Sequence, residues 1–257
     1  MKNKDLFINK AIKSIKNFDY YKEISNEKIS NGFKYFSILI LIYAIIVTIG
    51  ICYNFNKNLE NARNFVQSEL TNIDYIDGVM SINNDEFISY YNDYVIIDTS
   101  NENIENYNAD IAIGKSSFYI KINGYKFNFK YSNLLKNNLN KNDIIDSLSF
   151  RKYCILLIVM SLILAFVILG ISTLFDILII ALIGFITSKI FGKNKIRFKN
   201  CFNISIYAIT LSVVLAMIYY FINVFTVFNI KYFATMYTSI ATIYEITAVI
   251  LISTEKQ

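Results

Sequence analysis

Apolar and polar positions along this chain alternate on two scales, and the longer one sets the architecture. From Tyr153 to Phe191 the side chains are overwhelmingly Ile, Leu, Val, Phe and Ala, and Asp176 is the one charged side chain before Lys189. As one helix the run would be roughly 58 Å long, about twice the ~30 Å hydrocarbon core of a bilayer. Its middle reads Gly170-Ile171-Ser172-Thr173-Leu174-Phe175-Asp176. Thr173 followed three residues later by Asp176 resembles a capping box, and Gly170 suits the end of a preceding helix. The pattern predicts two short spans, 153–170 and 174–191, folded as a hairpin.

Three further apolar segments, 34–53, 202–225 and 232–253, bring the expectation to about five spans. In the last of them Ala234, Thr238, Ala241, Thr242, Glu245 and Ala248 share a helical face. In its neighbour Ser205, Ala208, Ser212, Ala216 and Tyr219 do the same. Small and hydroxylated stripes are what close helix packing in lipid requires, so both are expected to face the interior of a bundle, 151–257.

The shorter scale appears in residues 54–150. Phe55, Leu59, Ala62, Val66 and Leu70 form one helical stripe, as though the first span continued as a stalk. After Asp77-Gly78 the period changes to two, with candidate strands at Val79–Ile82, Phe87–Tyr91, Tyr94–Asp98 and Asp110–Ile113. The clearest local signal is Phe118–Ile122, Asn123-Gly124, Tyr125–Tyr131: two alternating runs joined by the dipeptide that a type I′ turn favours. The segment reads as a small α+β domain inserted between spans 1 and 2.

Charge assigns sides. Residues 1–33 carry Lys2, Lys4, Lys10, Lys13, Lys16, Lys22 and Lys28, with Phe7, Ile8, Ala11, Ile12, Ile15 and Phe18 at helical spacing. A basic amphipathic helix before a span reads as lying on the anionic inner leaflet, or as docked on the protein's own cytoplasmic loops. Between Lys57 and Asp146 thirteen acids face eight bases, a net of −5. The positive-inside tendency therefore puts the N-terminus in the cytoplasm and the inserted domain outside. The acid-free stretch Lys193–Lys199 conflicts with the hairpin, which would place it outside; its side stays open.

Hydrophobic residues make up 54% of the chain and mean hydropathy is +0.39, beyond an ordinary soluble domain. The chain is read as a multi-pass protein of the cell membrane. Its lysines accompany no nucleic-acid-binding motif, so its partners are the lipid bilayer and another membrane protein or a second copy. With no His, Ser-His-Asp and Cys-His catalysis and His-ligated zinc or haem are removed. The eight glycines form no phosphate-binding loop, and Asp74, Asp77, Asp85, Glu86, Asp93 and Asp98 follow no EF-hand spacing. No catalytic residue, metal site or cofactor is expected. Cys52 and Cys154 lie at similar depth near the ends of spans, where a disulfide is conceivable. The alternative is that each, like Cys201, is a small buried hydrophobe.

Glu245 is the most informative single residue, because an ionised carboxylate in the middle of a span is costly and marks cavities and function. The polar intramembrane candidates are Glu245, Thr242, Thr238, Ser205 and Ser212; Thr173 and Asp176 are candidate helix caps. Glu245 reads either as a proton or cation site or as an acid bonded to neighbouring hydroxyls.

The chain resembles a Gram-positive (Firmicutes) membrane-protein family, domain of unknown function 1189. The resemblance rests on the basic N-terminal segment with its first span and on Asp77-Gly78-Val79 and Tyr94-Val95-Ile96-Ile97-Asp98-Thr99. It continues through Gly192-Lys193, Phe202 and Tyr207-Ala208. The C-terminal half is distantly similar to Yip-type membrane proteins, although Ile209-Thr210-Leu211 replaces the proline usual after their Tyr-Ala pair. The resemblance implies no catalytic residues. The expected role is non-enzymatic, with the external domain sensing or binding a partner; the alternative is a subunit of a small transporter or channel-like oligomer using Glu245.

Overall fold

A computed structural model describes residues 6–83, 87–90, 94–135, 137–192, 196–226 and 228–254. Asp85, Glu86, Asp93 and residues 193–195 of the basic loop lie outside them. In chain order the helical elements are α1 (Phe7–Lys16), α2 (Tyr20–Ser25), α3 (Ile29–Ser68), α4 (Tyr131–Leu134), α5 (Lys141–Ser147), α6 (Phe150–Phe191), α7 (Phe198–Ala208), α8 (Thr210–Phe225) and α9 (Phe233–Thr254). Between α3 and α4 lie β1 (Ile73–Ile76), β2 (Val79–Ile82), β3 (Ile88–Tyr90), β4 (Val95–Asp98), β5 (Ile111–Gly114), β6 (Ser117–Ile122) and β7 (Tyr125–Lys130). Strand β8 (Leu139–Asn140) follows α4.

The long apolar run is one helix, and this corrects the hairpin. Helix α6 continues through Gly170, Thr173 and Asp176 for 42 residues. Neither Thr173 nor Asp176 caps anything: Thr173 is buried on the helix's packed face and Asp176 is half-buried in its middle. A break there would leave backbone N–H and C=O groups without partners in an apolar medium, at several kcal/mol each. A helical Gly costs only about 1 kcal/mol relative to Ala, and the chain has no proline to force a stop. Among the described residues four segments, where five were expected, are long and apolar enough to cross a bilayer: Ile29–Ser68, Lys141–Phe191, Phe198–Phe225 and Phe233–Thr254. A Cβ at Gly170 would meet only Ile40 Cγ2, at an ordinary 3.9 Å. Gly170→Ala is therefore expected to raise stability by up to about 1 kcal/mol in a detergent unfolding titration; a loss would point back to a turn at this position.

The chain divides into two units, one of Met1–Asn54 with Ile155–Gln257 and one of Phe55–Cys154. In the first, α3 buries Tyr35, Phe36, Leu39, Ile40, Ala44 and Thr48, a 3-4 stripe along one face. Helix α6 buries mainly small or hydroxylated side chains, Ser161, Ala165, Thr173, Ala181, Gly184, Thr187 and Ser188, the composition that lets backbones approach closely. Residues Cys201–Thr210, spanning the end of α7 and the start of α8, are all buried. The axis is interrupted at Ile209 without a proline; Thr210 donates to the Tyr207 carbonyl at 2.6 Å, keeping one backbone acceptor of the interruption satisfied.

The N-terminal segment is docked on this unit. Phe7, Ala11 and Phe18 pack against the core and Ser14 is buried, while Ile8 and Ile12 stay exposed. Asn200 donates to the Ser25 carbonyl at 3.0 Å, so the start of α7 lies at the same end as α2. A side chain at Gly192 would come within 2.8 Å of Ser253 Cβ, which places the C-terminal end of α9 there too. At the opposite end Tyr53 and Phe225 rings meet at 4.9 Å. Helix α6 thus crosses the unit once.

In the second unit, a five-stranded sheet runs β3-β4-β5-β6-β7, with β4–β5 parallel and the other pairs antiparallel, and a three-stranded sheet runs β2-β1-β8. Both two-residue hairpin turns, Asp77-Gly78 and Asn123-Gly124, have positive φ at both positions, as a type I′ turn requires. Val66 of α3 and Leu70, just past its end, pack with Ile73, Tyr75, Met80, Ile82, Ile97 and Tyr131. Ile96, Ile104, Ala109, Ala112 and Tyr119 form a second, smaller core. Two strands, β1 and the two-residue β8, have no counterpart among the candidate strands read from the sequence. The conceivable Cys52–Cys154 disulfide is not formed.

Candidate functional site

The most unusual side chain in the helical unit is Glu245 of α9. It is fully buried, and among the described residues neither carboxyl oxygen has a hydrogen-bond partner. Room for it is made by Gly184 of α6: a Cβ there would sit 2.8 Å from Glu245 Cγ and 2.9 Å from Cδ, and closer still to Oε1. Ser205 of α7 borders the carboxyl, but its hydroxyl donates to the Cys201 carbonyl at 3.0 Å. What Ser205 offers Glu245 is therefore a lone pair. An enclosed carboxyl without a counter-ion is stable only while uncharged, or while a cation shares its enclosure.

Tyr21 of α2 is the other neighbour. Its phenol is buried, its hydroxyl donates to the Ser14 carbonyl at 2.7 Å, and burial holds its pKa well above the usual range. Beside it Tyr244 donates to the Ile15 carbonyl at 3.0 Å. The docked N-terminal segment thus packs on α9 at Tyr244, the residue before Glu245.

That docking is fixed by a second polar cluster. Glu27 accepts from Lys10 Nζ at 2.8 Å, from the Tyr207 hydroxyl at 2.8 Å and from Asn31 at 3.2 Å. Asn203 donates to the Glu27 carbonyl at 2.7 Å, and the Tyr207 ring stacks on Tyr35 at 4.4 Å. Tyr35 in turn shares a 2.8 Å hydrogen bond with Thr210 at the interrupted helix.

The other candidates fall differently. Ser212 is buried and bridges helices by donating to the Tyr237 carbonyl at 2.7 Å. Thr238 is exposed and Thr242 half-buried, and both hydroxyls bond back to their own helix, at 3.1 and 2.8 Å. The inward face of α9 is instead Ala241, Glu245, Ala248 and Val249, so Thr238 and Thr242 do not join the Glu245 enclosure. Thr173 and Asp176 neighbour Tyr237. Gly184, Tyr21, Glu27 and Tyr207 escaped sequence reasoning. A glycine in an apolar run and one of several acids in a lysine-rich segment carry no periodic signal.

In the β-rich unit the chemistry lies at the surface. Asp98 is buried; burial alone would raise its pKa, but hydrogen bonds from Ser100 and Tyr107 outweigh this and hold it below the usual carboxylate value. The Asp98 contact raises the Tyr107 phenol in turn. Far from satisfied in this way is β7, all six of whose residues are exposed. Tyr125, Phe127 and Phe129 stand on one face, opposite Ile122, Ile120 and Phe118 of β6. A shallow recess of about 280 Å³ adjoins them, lined by Asn128, Phe129, Lys130, Asn133 and Leu134.

Compared with known proteins, residues 8–249 match the family described as "Protein of unknown function (DUF1189)". No curated protein and no solved structure matches.

Proposed function

This chain belongs to the DUF1189 family of proteins of unknown function, and from that premise we propose that it is a non-enzymatic, multi-pass protein of the cell membrane whose β-rich domain binds a partner outside the cytoplasm. The four apolar helical segments serve as its anchor and relay. The observation that carries partner binding is the free edge of the five-stranded sheet, where an exposed strand presents Tyr125, Phe127 and Phe129 on one face. Exposed apolar patches and unpaired strand edges mark recognition surfaces in soluble domains.

Sidedness is supported by charge and by geometry within the helical unit. The lysine-rich N-terminal segment and the start of α7 meet at one end through Asn200 and Ser25, and the acid-free basic stretch Lys193–Lys199 precedes that contact. Its described basic residues Arg197 and Lys199 thus lie at the end where the lysine-rich N-terminal segment docks, an arrangement that the positive-inside tendency favours. Deleting residues 72–132 from the full chain is expected to abolish crosslinked adducts formed in native membranes while the remaining helices still insert. Adducts of unchanged size and yield would sink the proposal.

A second reading is favoured by Glu245, whose enclosed, unpartnered carboxyl fits a proton or cation step in a small transporter or channel-like oligomer.

A further inference from the structure

We propose that the partner of the β7 edge is a second copy of this chain, the two β7 strands pairing antiparallel about a two-fold axis centred on Phe127. This rests on the partner-binding reading of the domain and names the occupant.

The edge is open. The five-stranded sheet ends at β7, and among the described residues no strand pairs on its outer side. Its hydrogen-bonding parity can be read from the ladder. Tyr131 N–H, just past the strand, donates inward to the Ser116 carbonyl at 3.1 Å. Antiparallel ladders alternate, so Tyr125, Phe127 and Phe129 direct their backbone groups toward β6, and Lys126, Asn128 and Lys130 direct theirs outward. The two-residue turn between Ile122 and Tyr125 requires the same parity.

Lysines on an edge strand commonly guard it against pairing. Here the Lys126 ammonium is drawn back over the sheet's own face, where it donates to the Tyr107 carbonyl at 2.8 Å and the Glu105 carbonyl at 2.5 Å. Asn128 lies on that face too, donating to Glu105 Oε1 at 2.7 Å. The backbone edge between them is left uncovered.

Symmetry then selects a register. A two-fold axis perpendicular to a continuous sheet keeps each face on its own side, so only residues of the same face come opposite each other. Centred on Asn128, it would set Lys126 against Lys130 twice, and like charges directly opposite are destabilising. Centred on Phe129, it would draw in Tyr131, where the strand has already given way to α4. Centred on Phe127, it sets Lys126 against Asn128, both with outward backbone groups, as a hydrogen-bonded pair. It sets Tyr125 against Phe129 and Phe127 against itself as non-hydrogen-bonded pairs, the closer kind, in which aromatic side chains interact best. Tyr125 is 74% exposed and Phe127 49% exposed, so these rings have surface to bury. The same strand supplies both halves of the complementarity, as a two-fold interface demands.

Cysteine pairing in the full chain tests this, in membranes and with Cys52, Cys154 and Cys201 replaced by Ala. Under mild oxidation Phe127→Cys is expected to form a disulfide dimer by itself. Tyr125→Cys and Phe129→Cys are expected to do so only when the two versions are co-expressed, with at least about a tenfold gain over either alone, because disulfides tolerate little error in Cβ separation. Adding Asn128→Pro, which removes an outward N–H that the chain's own ladder does not use, should abolish the Phe127→Cys dimer. Tyr125→Cys dimerising alone as well as in the mixture would overturn the register. If Phe127→Cys gives no dimer while a photocrosslinker at position 127 attaches to a different protein or to lipid, self-pairing is overturned and recognition at this edge survives. No adduct of any kind at position 127 would overturn both.

Discussion

Adding one methyl group at position 184 is expected to destabilise the helical unit by about 1–3 kcal/mol, the usual cost of overpacking a filled interior. The reason is local: Gly184 faces the Glu245 side chain, and an alanine Cβ would stand 2.8 and 2.9 Å from Cγ and Cδ. Glu245 is fully buried, so its carboxyl cannot swing into solvent to make space. Removing that side chain should relieve the conflict. Gly184→Ala and Glu245→Ala are each expected to lower the unfolding midpoint in detergent, and the double substitution should cost less than the sum. A coupling of about 0.5–3 kcal/mol is the range for residues in contact; strict additivity would show that the glycine is there for another reason. Glu245→Gln keeps shape and volume without the acid, and so separates the two functional readings. Proton or cation flux in proteoliposomes that vanishes in Glu245→Gln favours the transport reading, whereas an adduct pattern in membranes unaffected by Glu245→Gln favours the anchored binding domain.

Local patterns translated directly into structure where a short-range rule governs them. Asn123-Gly124 gave the hairpin because positive φ at two successive positions leaves few other dipeptides. The 3-4 stripe ending in Val66 and Leu70 gave the continuation of α3, since it matches a helical period and nothing else. Asp77-Gly78 carries the same turn chemistry and marks β1–β2, but Ile73–Ile76 is too short for its alternation to stand out. The β4–β5 pair is parallel and depends on contacts distant in sequence, beyond any local rule.

The misreadings have physical causes as well. Thr173 and Asp176 look like a cap to a rule derived in water, where an interrupted backbone finds solvent. In an apolar setting continuity of the hydrogen-bond ladder dominates, and α6 runs on. On α9 the expected stripe holds at Ala241, Glu245 and Ala248 but not at Ala234, Thr238 and Thr242; the two threonines satisfy their hydroxyls on their own helix and need no interior. The N-terminal segment packs on helices rather than on loops: Phe7 meets Tyr35 of α3 and Phe18 meets Tyr244 of α9, while Ile8 and Ile12 keep an apolar outer face. Of the Glu245 enclosure, the acid itself and Ser205 were legible. Gly184 and Tyr21 were not, since what matters at each is an approach between elements far apart in the chain.

The correction of α6 changes more than a helix count. With one crossing in place of two, the start of α7, the docked N-terminal segment and the end of α9 share one end of the helical unit. A five-span hairpin would instead separate the basic loop from the N-terminus by the full thickness of a bilayer. The proposed function requires four crossings that would hold the basic ends in the cytoplasm and leave residues 55–154 outside. Labelling with a membrane-impermeant maleimide tests it in intact cells, using full chains that carry one cysteine each, at the exposed positions Lys199 or Glu102, with the native cysteines replaced by Ala. The account predicts that Glu102→Cys is labelled at once and Lys199→Cys only after the membrane is opened, whereas labelling of Lys199→Cys in intact cells, or protection of Glu102→Cys, would contradict it.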